Sequence, residues 1–223
     1  MTAYGTNDLA EFARRLASLR ESLVPPSTVG EFVAYTDGAC FGNPSGNGGW
    51  AAAVFQGARL WQLFGHLTST SNNRAEALGV LGALEWVPAG SVLRLHSDSE
   101  LTVRQLQGRY KIKANPDIWA LIQSVRAEKG VELKPEWVRG HAGDPLNELA
   151  DRLSKLGARN GALEDLVAPE VPEAPPEPAE LTGLQPRTDW ERDFVASVRE
   201  QLRRGRALSD KQRAVLDRIR AKP

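Results

Sequence analysis

The amino-acid sequence predicts an α/β protein with a mixed five-stranded sheet and helices on both faces of that sheet. Small helical appendages are expected at the two ends of the chain. Three strand-like segments follow one another between short glycine-containing turns, as in an antiparallel meander. Two more strand-like segments alternate with helical ones, and such crossovers favour parallel pairing. The length of 223 residues suits one catalytic-sized core with small additions.

The N-terminal part of the pattern contains one helix and the three antiparallel strands. Apolar residues recur at helical spacing from Asp8 to Leu23, and the pair Pro25-Pro26 ends that pattern. Strands rich in aromatic and β-branched residues are then expected over 32–37, 49–55 and 59–67.

The second part of the pattern alternates helices and strands. The predicted elements are a helix over 72–87, a strand over 92–97, helices over 99–106 and 117–128, and a strand over 131–138. Ser71 suits the N-cap of the first of these helices, and Pro88 ends it. Pro135 indicates that the last strand lies at an edge or contains a bulge. The final core helix begins at Asp144, with Pro145 in its first position.

Composition divides the chain into four parts, with expected bounds of 1–30, 31–163, 164–186 and 187–223. They are an N-terminal helix with its connector, the core domain, a Pro/Glu-rich linker and a helical tail. The linker carries six acidic residues and no basic ones, and it has little to bury, so we expect it to be extended and disordered.

The tail is basic although the whole chain has a net charge of zero. It carries 11 basic and 6 acidic residues, a net charge of +5. Two helices are predicted, the first with Trp190 and Phe194 on its apolar side and the second opened by a capping box over 209–212. The cluster Arg203-Arg204-Gly205-Arg206 falls between them. The tail therefore either adds affinity for nucleic acid or docks Trp190 and Phe194 on its own domain or a protein partner.

We expect this sequence to contain neither a membrane span nor an export signal. No apolar run is long enough to span a bilayer, and the N-terminus lacks the basic-then-apolar order of a secretory signal. The single cysteine, Cys40, cannot form an internal disulfide, which is consistent with a reducing compartment. We expect a cytoplasmic protein without membrane contact, and a monomer.

Two aspartates follow predicted strands that should be neighbours. Asp37 ends the first strand and Asp98 follows the fourth, and ligands of open α/β sheets bind at the carboxyl ends of strands. Each residue also has a plain structural interpretation, Asp37 as a turn residue before Gly38 and Asp98 as a helix N-cap.

Two more acids lie on predicted helices. Glu76 shares a helix face with Asn72, four residues earlier, although most helical glutamates are simply solvated. Asp151 follows the apolar pair Leu149 and Ala150, so it borders the buried stripe of its helix.

The segments TDGAC, SNNRAE, HSDSE and GHAGDPLNELAD, in this order over residues 31–159, closely resemble the motifs of type 1 ribonucleases H of bacteria and archaea. The resemblance implies the ribonuclease H-like fold and an endonuclease that cuts the RNA strand of an RNA–DNA hybrid, leaving 5′-phosphate and 3′-hydroxyl ends. It makes four carboxylates the ligands of two Mg²⁺ ions, or of Mn²⁺, when substrate is bound: Asp37, Glu76, Asp98 and Asp151. Hard oxygen ligands suit these cations, and two ions about 3.5–4 Å apart can stabilise the attacking and leaving oxygens.

The same resemblance assigns further roles. His141, on a glycine-rich loop, corresponds to a catalytic histidine whose near-neutral pKa suits proton transfer. Asn43, Asn72 and Asn73 resemble polar contacts to the hybrid, where amides can bond 2′-hydroxyls. Each could instead be a turn or cap residue. At the start of the same helix, where free N–H groups attract anions, two more side chains are expected to help hold a phosphate: Ser71 and Arg74.

Two features depart from well-known members of the family. Glu100 stands two positions after the third acid, where many relatives have glutamine, and it adds negative charge beside the site. The segment between Leu106 and Asp117 is short, so the basic helix and loop with which some members grip substrate are absent.

Two other functions remain open on the sequence. Holliday-junction resolvases, transposase-type integrases and 3′–5′ exonucleases cluster acids on the same sheet, and fold alone does not separate them. A hybrid-binding module that has lost its chemistry is a different class, and the presence of all four acids argues against it.

Overall fold

A computed structural model of the chain describes residues 7–140, 142–163, 179–181, 184, 187–203 and 207–220. The chain divides into two compact units, Met1–Pro169 and Glu170–Pro223. Within the described ranges, no helix is long and apolar enough to cross a membrane.

The first unit is built on one five-stranded sheet with the strand order β3-β2-β1-β4-β5. β1, β2 and β3 pair antiparallel, whereas β1–β4 and β4–β5 pair parallel. The predicted mixed sheet is therefore confirmed. The strands are β1 (Glu31–Phe41), β2 (Gly46–Gln56), β3 (Arg59–Thr70), β4 (Val92–Ser97) and β5 (Glu132–Trp137).

Five helices of the first unit lie where the sequence predicts them, within two residues. They are α1 (Asn7–Ser22), α2 (Asn72–Trp86), α3 (Glu100–Leu106), α4 (Pro116–Lys129) and α5 (Pro145–Ala158). The Asp144 carboxylate accepts hydrogen bonds from the backbone N–H groups of Leu146 and Asn147, so it caps α5 as predicted.

Helices cover both faces of the sheet because successive strand residues point to opposite sides. On β2, Ala52 and Val54 belong to the larger core that includes α1, α2 and α4, while Ala51 and Ala53 pack with Leu153 of α5. The fully buried Trp50 occupies the larger core, where its ring lies against Phe12 of α1. The N-terminal helix is thus part of the core of this unit.

The first strand is longer than the sequence predicts. It does not end at Asp37 but pairs with β2 as far as Phe41, opposite Asn47, whereas its parallel pairing with β4 stops at Tyr35 and His96. Asp37 therefore lies inside a strand, just beyond the point where β1 and β4 part.

The edge strand β5 matches the expectation from Pro135. β5 is the last strand of the sheet, and the carbonyl oxygen of Pro135 accepts a hydrogen bond from Nε2 of Gln107, at 2.9 Å. Proline has no N–H to donate, which is tolerated at an edge.

The second unit contains α6 (Asp189–Arg203) and α7 (Asp210–Arg220), the two helices predicted for the tail. Ser209 and Gln212 form the predicted capping box: the Ser209 N–H donates to Gln212 Oε1, and the Gln212 N–H donates to Ser209 Oγ. Trp190 is exposed and stacks on Phe194, with ring centroids 5.5 Å apart.

One part of the predicted linker differs from the expectation. Residues 179–181 form a short 3₁₀ turn, and Leu181 is buried in the core of the second unit with Val195, Val198 and Leu216. The rest of the linker, except residue 184, and the predicted helix break at 204–206 lie outside the described residues.

Candidate active site

Three carboxylates meet where β1 and β4 part. Asp37 lies in β1, Asp98 directly follows β4, and Glu76 lies on α2, which crosses over between them in the chain. One oxygen of each carboxylate lies within 4.8 Å of an oxygen of the others. Asp37 and Glu76 are buried and Asp98 is half-buried, so the sequence-predicted acids form a compact, shielded cluster.

A glycine permits the close approach of α2 to β1. A Cβ atom at Gly38 would lie 2.1 Å from the backbone nitrogen of Glu76 and 2.4 Å from the carbonyl carbon of Ala75. Only a residue without a side chain fits there, because both neighbouring atoms belong to the backbone. Gly38 thereby lets the helix that carries Glu76 rest directly on the strand that carries Asp37.

The helix α5 presents one face to this cluster. Asn147, Asp151 and Ser154 recur at i, i+4 and i+7 and so share that face. Asn147 Nδ2 donates to Asp98 Oδ2 at 3.0 Å, and Ser154 Oγ donates to Asp37 Oδ2. Asn147 and Ser154, both buried, are contacts that the sequence analysis missed, although their spacing from Asp151 is a signal that could have identified them.

Asp151 lies on the border of the cluster rather than inside it. Its carboxylate does not belong to the group of three, and its Oδ1 lies 2.7 Å from Nζ of Lys155, one turn along α5. Its charge still repels that of Asp37. The structure thus brings three of the four expected acids together and leaves the fourth beside them in an ion pair.

The electrostatics of the cluster are unfavourable for negative charge. Burial raises the pKa of Asp37, and repulsion by Asp98 and Asp151 raises it further, against the hydrogen bond from Ser154. Burial also raises the pKa of Glu76 well above its usual range, and Asp37 and Asp98 add to that shift. Glu76 Oε2 is buried without a hydrogen-bond partner in the described part of the chain. Clustered hard oxygen donors with an unpartnered buried oxygen fit a divalent cation.

Three of the expected substrate contacts form an exposed polar rim at the start of α2. Asn43, in the turn after β1, accepts a hydrogen bond from the Asn72 N–H at 3.2 Å, which brings the turn to Asn72 and Asn73. All three asparagines are exposed. Ser71 occupies the N-cap position, but its side chain makes no capping hydrogen bond, contrary to the sequence prediction.

Arg74 differs from its expected role as a phosphate contact. Its side chain is 7% exposed and forms ion pairs with Asp8 of α1 and Asp117 of α4. Because both carboxylates occupy the guanidinium, Arg74 is a structural link inside the protein.

Glu100 and His141 are the remaining residues that the sequence analysis singled out. Glu100 is exposed and lies 3.4 Å from Nε of Arg104, which partly offsets its charge. His141 is outside the described residues. The residue before it, Gly140, lies beside the third acid, since a Cβ atom there would be 2.8 Å from Asp98 Oδ2.

Comparison with known proteins identifies one family. The family model of RNase H matches residues 30–159. Ribonuclease HI of Caulobacter vibrioides is 38% identical over 139 residues, which cover 56% of this chain and 91% of that protein. Ribonuclease H of Phenylobacterium zucineum is 37% identical over 145 residues, which cover 59% and 93%.

A solved structure is similar in fold. The N-terminal RNase H domain of a Mycobacterium tuberculosis protein, fused to maltose-binding protein, superposes with a TM-score of 0.52 at 23% identity and covers 60% of this chain and 96% of that one. The family match includes the whole sheet and the acid cluster, whereas α1, α6 and α7 lie outside residues 30–159.

Proposed function

This chain belongs to the RNase H family, and on that premise we propose that it is an endonuclease that hydrolyses the RNA strand of RNA–DNA hybrids by two-metal-ion catalysis. The proposed products carry 5′-phosphate and 3′-hydroxyl ends. The observation that carries the proposal is the meeting of Asp37, Glu76 and Asp98 at the parting of β1 and β4. Relatives named Ribonuclease H or HI, at 37–38% identity over nine-tenths of their length, support it.

Asp37, Glu76, Asp98 and Asp151 are the residues that we propose hold Mg²⁺, with Mn²⁺ as an alternative. When bound, a pair of such ions supplies an activated water and offsets charge on the leaving oxygen. Asn147 and Ser154 hold the carboxylates of Asp98 and Asp37 in fixed orientations, as outer partners of metal ligands do. Metal binding by Asp151 is proposed to compete with its ion pair to Lys155.

His141 is proposed to move a proton near the reacting phosphate. The support for this role is the match of GHAGD to the family motif and the position of Gly140 beside Asp98. Imidazole titrates near neutral pH, so it can both accept and release a proton under the conditions of the reaction.

The exposed rim of Asn43, Asn72 and Asn73, with Ser71, is proposed to contact the hybrid. Amide side chains can donate to and accept from a 2′-hydroxyl, the group that distinguishes RNA from DNA. Arg74 is left out of this set because its guanidinium is occupied inside the protein.

The tail is proposed to add affinity for nucleic acid. Separately, we propose that the protein acts in the cytoplasm and that it is a monomer. Lys211, Arg213, Arg218 and Arg220 are all exposed on α7, and the tail as a whole has a net charge of +5. We also propose that the chain consists of the N-terminal helix, the core domain, the linker and the tail. The tail then begins before Leu181, because Leu181 packs in the core of α6 and α7.

A substrate panel tests the proposal. RNA–DNA hybrid, duplex DNA and duplex RNA of one sequence are each incubated with Mg²⁺, with Mn²⁺ or with a chelator, and the product ends are identified. We expect internal cuts in the RNA strand of the hybrid only, and only with metal.

The matched control for that panel is Asp37→Asn, which removes a charge at nearly constant volume. It should abolish cleavage and keep the thermal transition. Equal cutting of duplex DNA, or stepwise release of terminal nucleotides, would assign the chain to another nuclease class of this fold. Binding of the hybrid without any cleavage would make it a binding module.

A further inference from the structure

A buried charge network joins the N-terminal helix to the start of α2. Arg74 Nε and Nη2 donate to the two carboxylate oxygens of Asp8, at 2.6 and 3.0 Å. Nη2 and Nη1 donate to those of Asp117, at 2.9 and 3.1 Å, and Nη1 lies 3.4 Å from Asn115 Oδ1. A guanidinium has five N–H groups, so this one is fully bonded to its neighbours.

Within the described part of the chain, Asp8 has no other charged partner, and its side chain has no access to solvent. It is completely buried, and its remaining contacts are the Leu9 N–H and the hydroxyl of Thr70. Without the charge of Asp8, the buried guanidinium of Arg74 would retain its ion pair with Asp117 but lose the one with α1, and losing a partner of a buried charge is strongly unfavourable. The position of the Arg74 side chain therefore depends in part on Asp8.

A second set of contacts fastens α1 to the end of β3. The Glu11 carboxylate accepts hydrogen bonds from the backbone N–H of Thr68, at 2.9 Å, and from its hydroxyl, at 2.7 Å. Thr68 and Arg74 lie on either side of residues 71–73, the segment that carries Ser71, Asn72 and Asn73. The helix α1 thus holds both ends of this segment, which we call the asparagine turn.

We propose that Asp8 is a positioning residue for the asparagine turn, and that α1, which precedes the part of the chain matched by the family, helps to set the affinity for the hybrid. This inference rests on the proposed function. Glu76 is positioned separately, by the contact of its backbone with Gly38. Loss of the Asp8 contact should therefore affect substrate binding more than the acid cluster.

The test is a steady-state comparison of the full-length protein with its Asp8→Asn variant on an RNA–DNA hybrid, with KM and kcat measured in saturating Mg²⁺ and the Mg²⁺ requirement measured in a separate titration. We expect KM to rise about tenfold, with kcat and the Mg²⁺ concentration for half-maximal rate changed less than twofold. A role in stability alone would lower the folded fraction, and this reduces the apparent kcat while KM stays constant. Thermal melts fix an assay temperature at which each protein is folded.

Arg20→Gln is the matched control. Arg20 also joins α1 to α2, through an ion pair of 2.9 Å with Glu85, but Arg20 is exposed, and Glu85 lies eleven positions after Arg74 on α2. At about 1.5 Å per residue this is roughly 16 Å along the helix. The control should leave KM unchanged.

The outcomes separate the two proposals. If the wild-type protein cuts no hybrid, the proposed function fails; if it does and Asp8→Asn leaves KM unchanged, the positioning role fails. If Asp8→Asn does not fold, the same comparison is made with Glu11→Gln. This substitution weakens the contact with Thr68 at the other end of the asparagine turn, and Glu11 is only half-buried. An unchanged KM in that variant would overturn the inference, and an increase would support it.

Discussion

At the scale of single residues, Glu76 is held in an environment that disfavours its charge. Its carboxyl group is buried beside Asp37 and Asp98, and one of its oxygens has no hydrogen-bond partner among the described residues. Because the pKa of Glu76 is raised on folding, the neutral form is favoured in the folded protein. The neutral Glu76 side chain therefore contributes to folding stability. This contribution is complete below the pKa of about 4.3 that glutamate has in an unfolded chain, and it is lost as the pH rises through the pKa of Glu76 in the folded protein.

We therefore expect Glu76→Gln to stabilise the metal-free protein at pH 7 by on the order of 1 kcal/mol while abolishing cleavage. Thermal melts of both proteins in chelator, from pH 4 to pH 8, measure the effect. The difference should be small at pH 4, grow with pH and shrink when Mg²⁺ is added to the wild type. A variant less stable than the wild type at pH 7 would show that the charged carboxylate of Glu76 does not destabilise the folded protein.

The roles of single residues could be predicted from the sequence only where a local pattern marks them. Asp37, Glu76 and Asp98 stand in short motifs, and the structure brings them together. The position of Arg74 in one of those motifs gave no indication that its partners are Asp8 and Asp117, which are 66 and 43 residues away along the chain. Contacts over such separations are set by tertiary packing, which no local spacing encodes.

At the scale of secondary-structure elements, α5 is the part of the fold that orients the acid cluster. Its Ser154 hydroxyl donates to Asp37, and its Asn147 amide donates to Asp98. Outer contacts of this kind fix the direction in which a ligand oxygen points.

Ser154→Ala should weaken metal binding by about tenfold, since outer partners of metal ligands contribute roughly 10–100-fold to affinity. The hydrogen bond from Ser154 lowers the pKa of Asp37, so the loss of affinity should be greater at lower pH. The Mg²⁺ concentration for half-maximal rate, measured between pH 6 and pH 8, tests this. Ser22→Ala is the control, because the Ser22 hydroxyl donates to carbonyl groups within α1 and contacts no acid of the cluster in the described part of the chain. Equal Mg²⁺ requirements in all three proteins would refute the role of Ser154.

Element boundaries could be predicted where proline, glycine or a cap marks them, and less well where pairing decides. The capped α5 and the strand β4 match their predicted starts. β1 continues past Asp37 because β2 begins at Gly46 and offers partners as far as Phe41. Small and turn-forming residues in this stretch hide the strand from a propensity argument, since cross-strand pairing overrides intrinsic preference.

At the scale of the whole molecule, the chain adds two parts to the domain that its family shares. The matched residues 30–159 contain the sheet and the acids, α1 joins the same core, and α6 and α7 form a core of their own. The segment between Leu106 and Asp117 is short, and we propose that the basic residues of the tail supply the additional contacts to nucleic acid.

Deleting residues 187–223 should weaken hybrid binding and flatten the dependence of log affinity on log salt concentration. The slope should fall by roughly 0.9 for each duplex-DNA-like phosphate contact that is lost. Titrations in the Asp37→Asn background separate binding from cleavage. Trp190→Ala in the full chain is the control, since it removes the exposed ring without changing the charge. An unchanged affinity and slope after the deletion would instead assign the tail to packing or to a protein partner.

The edge strand β5 also affects whether copies of this protein aggregate at high concentration. An exposed edge strand can pair with a strand of another molecule, because its outward N–H and C=O groups remain available. At the centre of β5 neither group is available: Pro135 has no N–H, and its carbonyl oxygen is bonded to Gln107. A second chain could not extend the sheet across this position without displacing Gln107, so the fold contains a local barrier to aggregation through its β5 side.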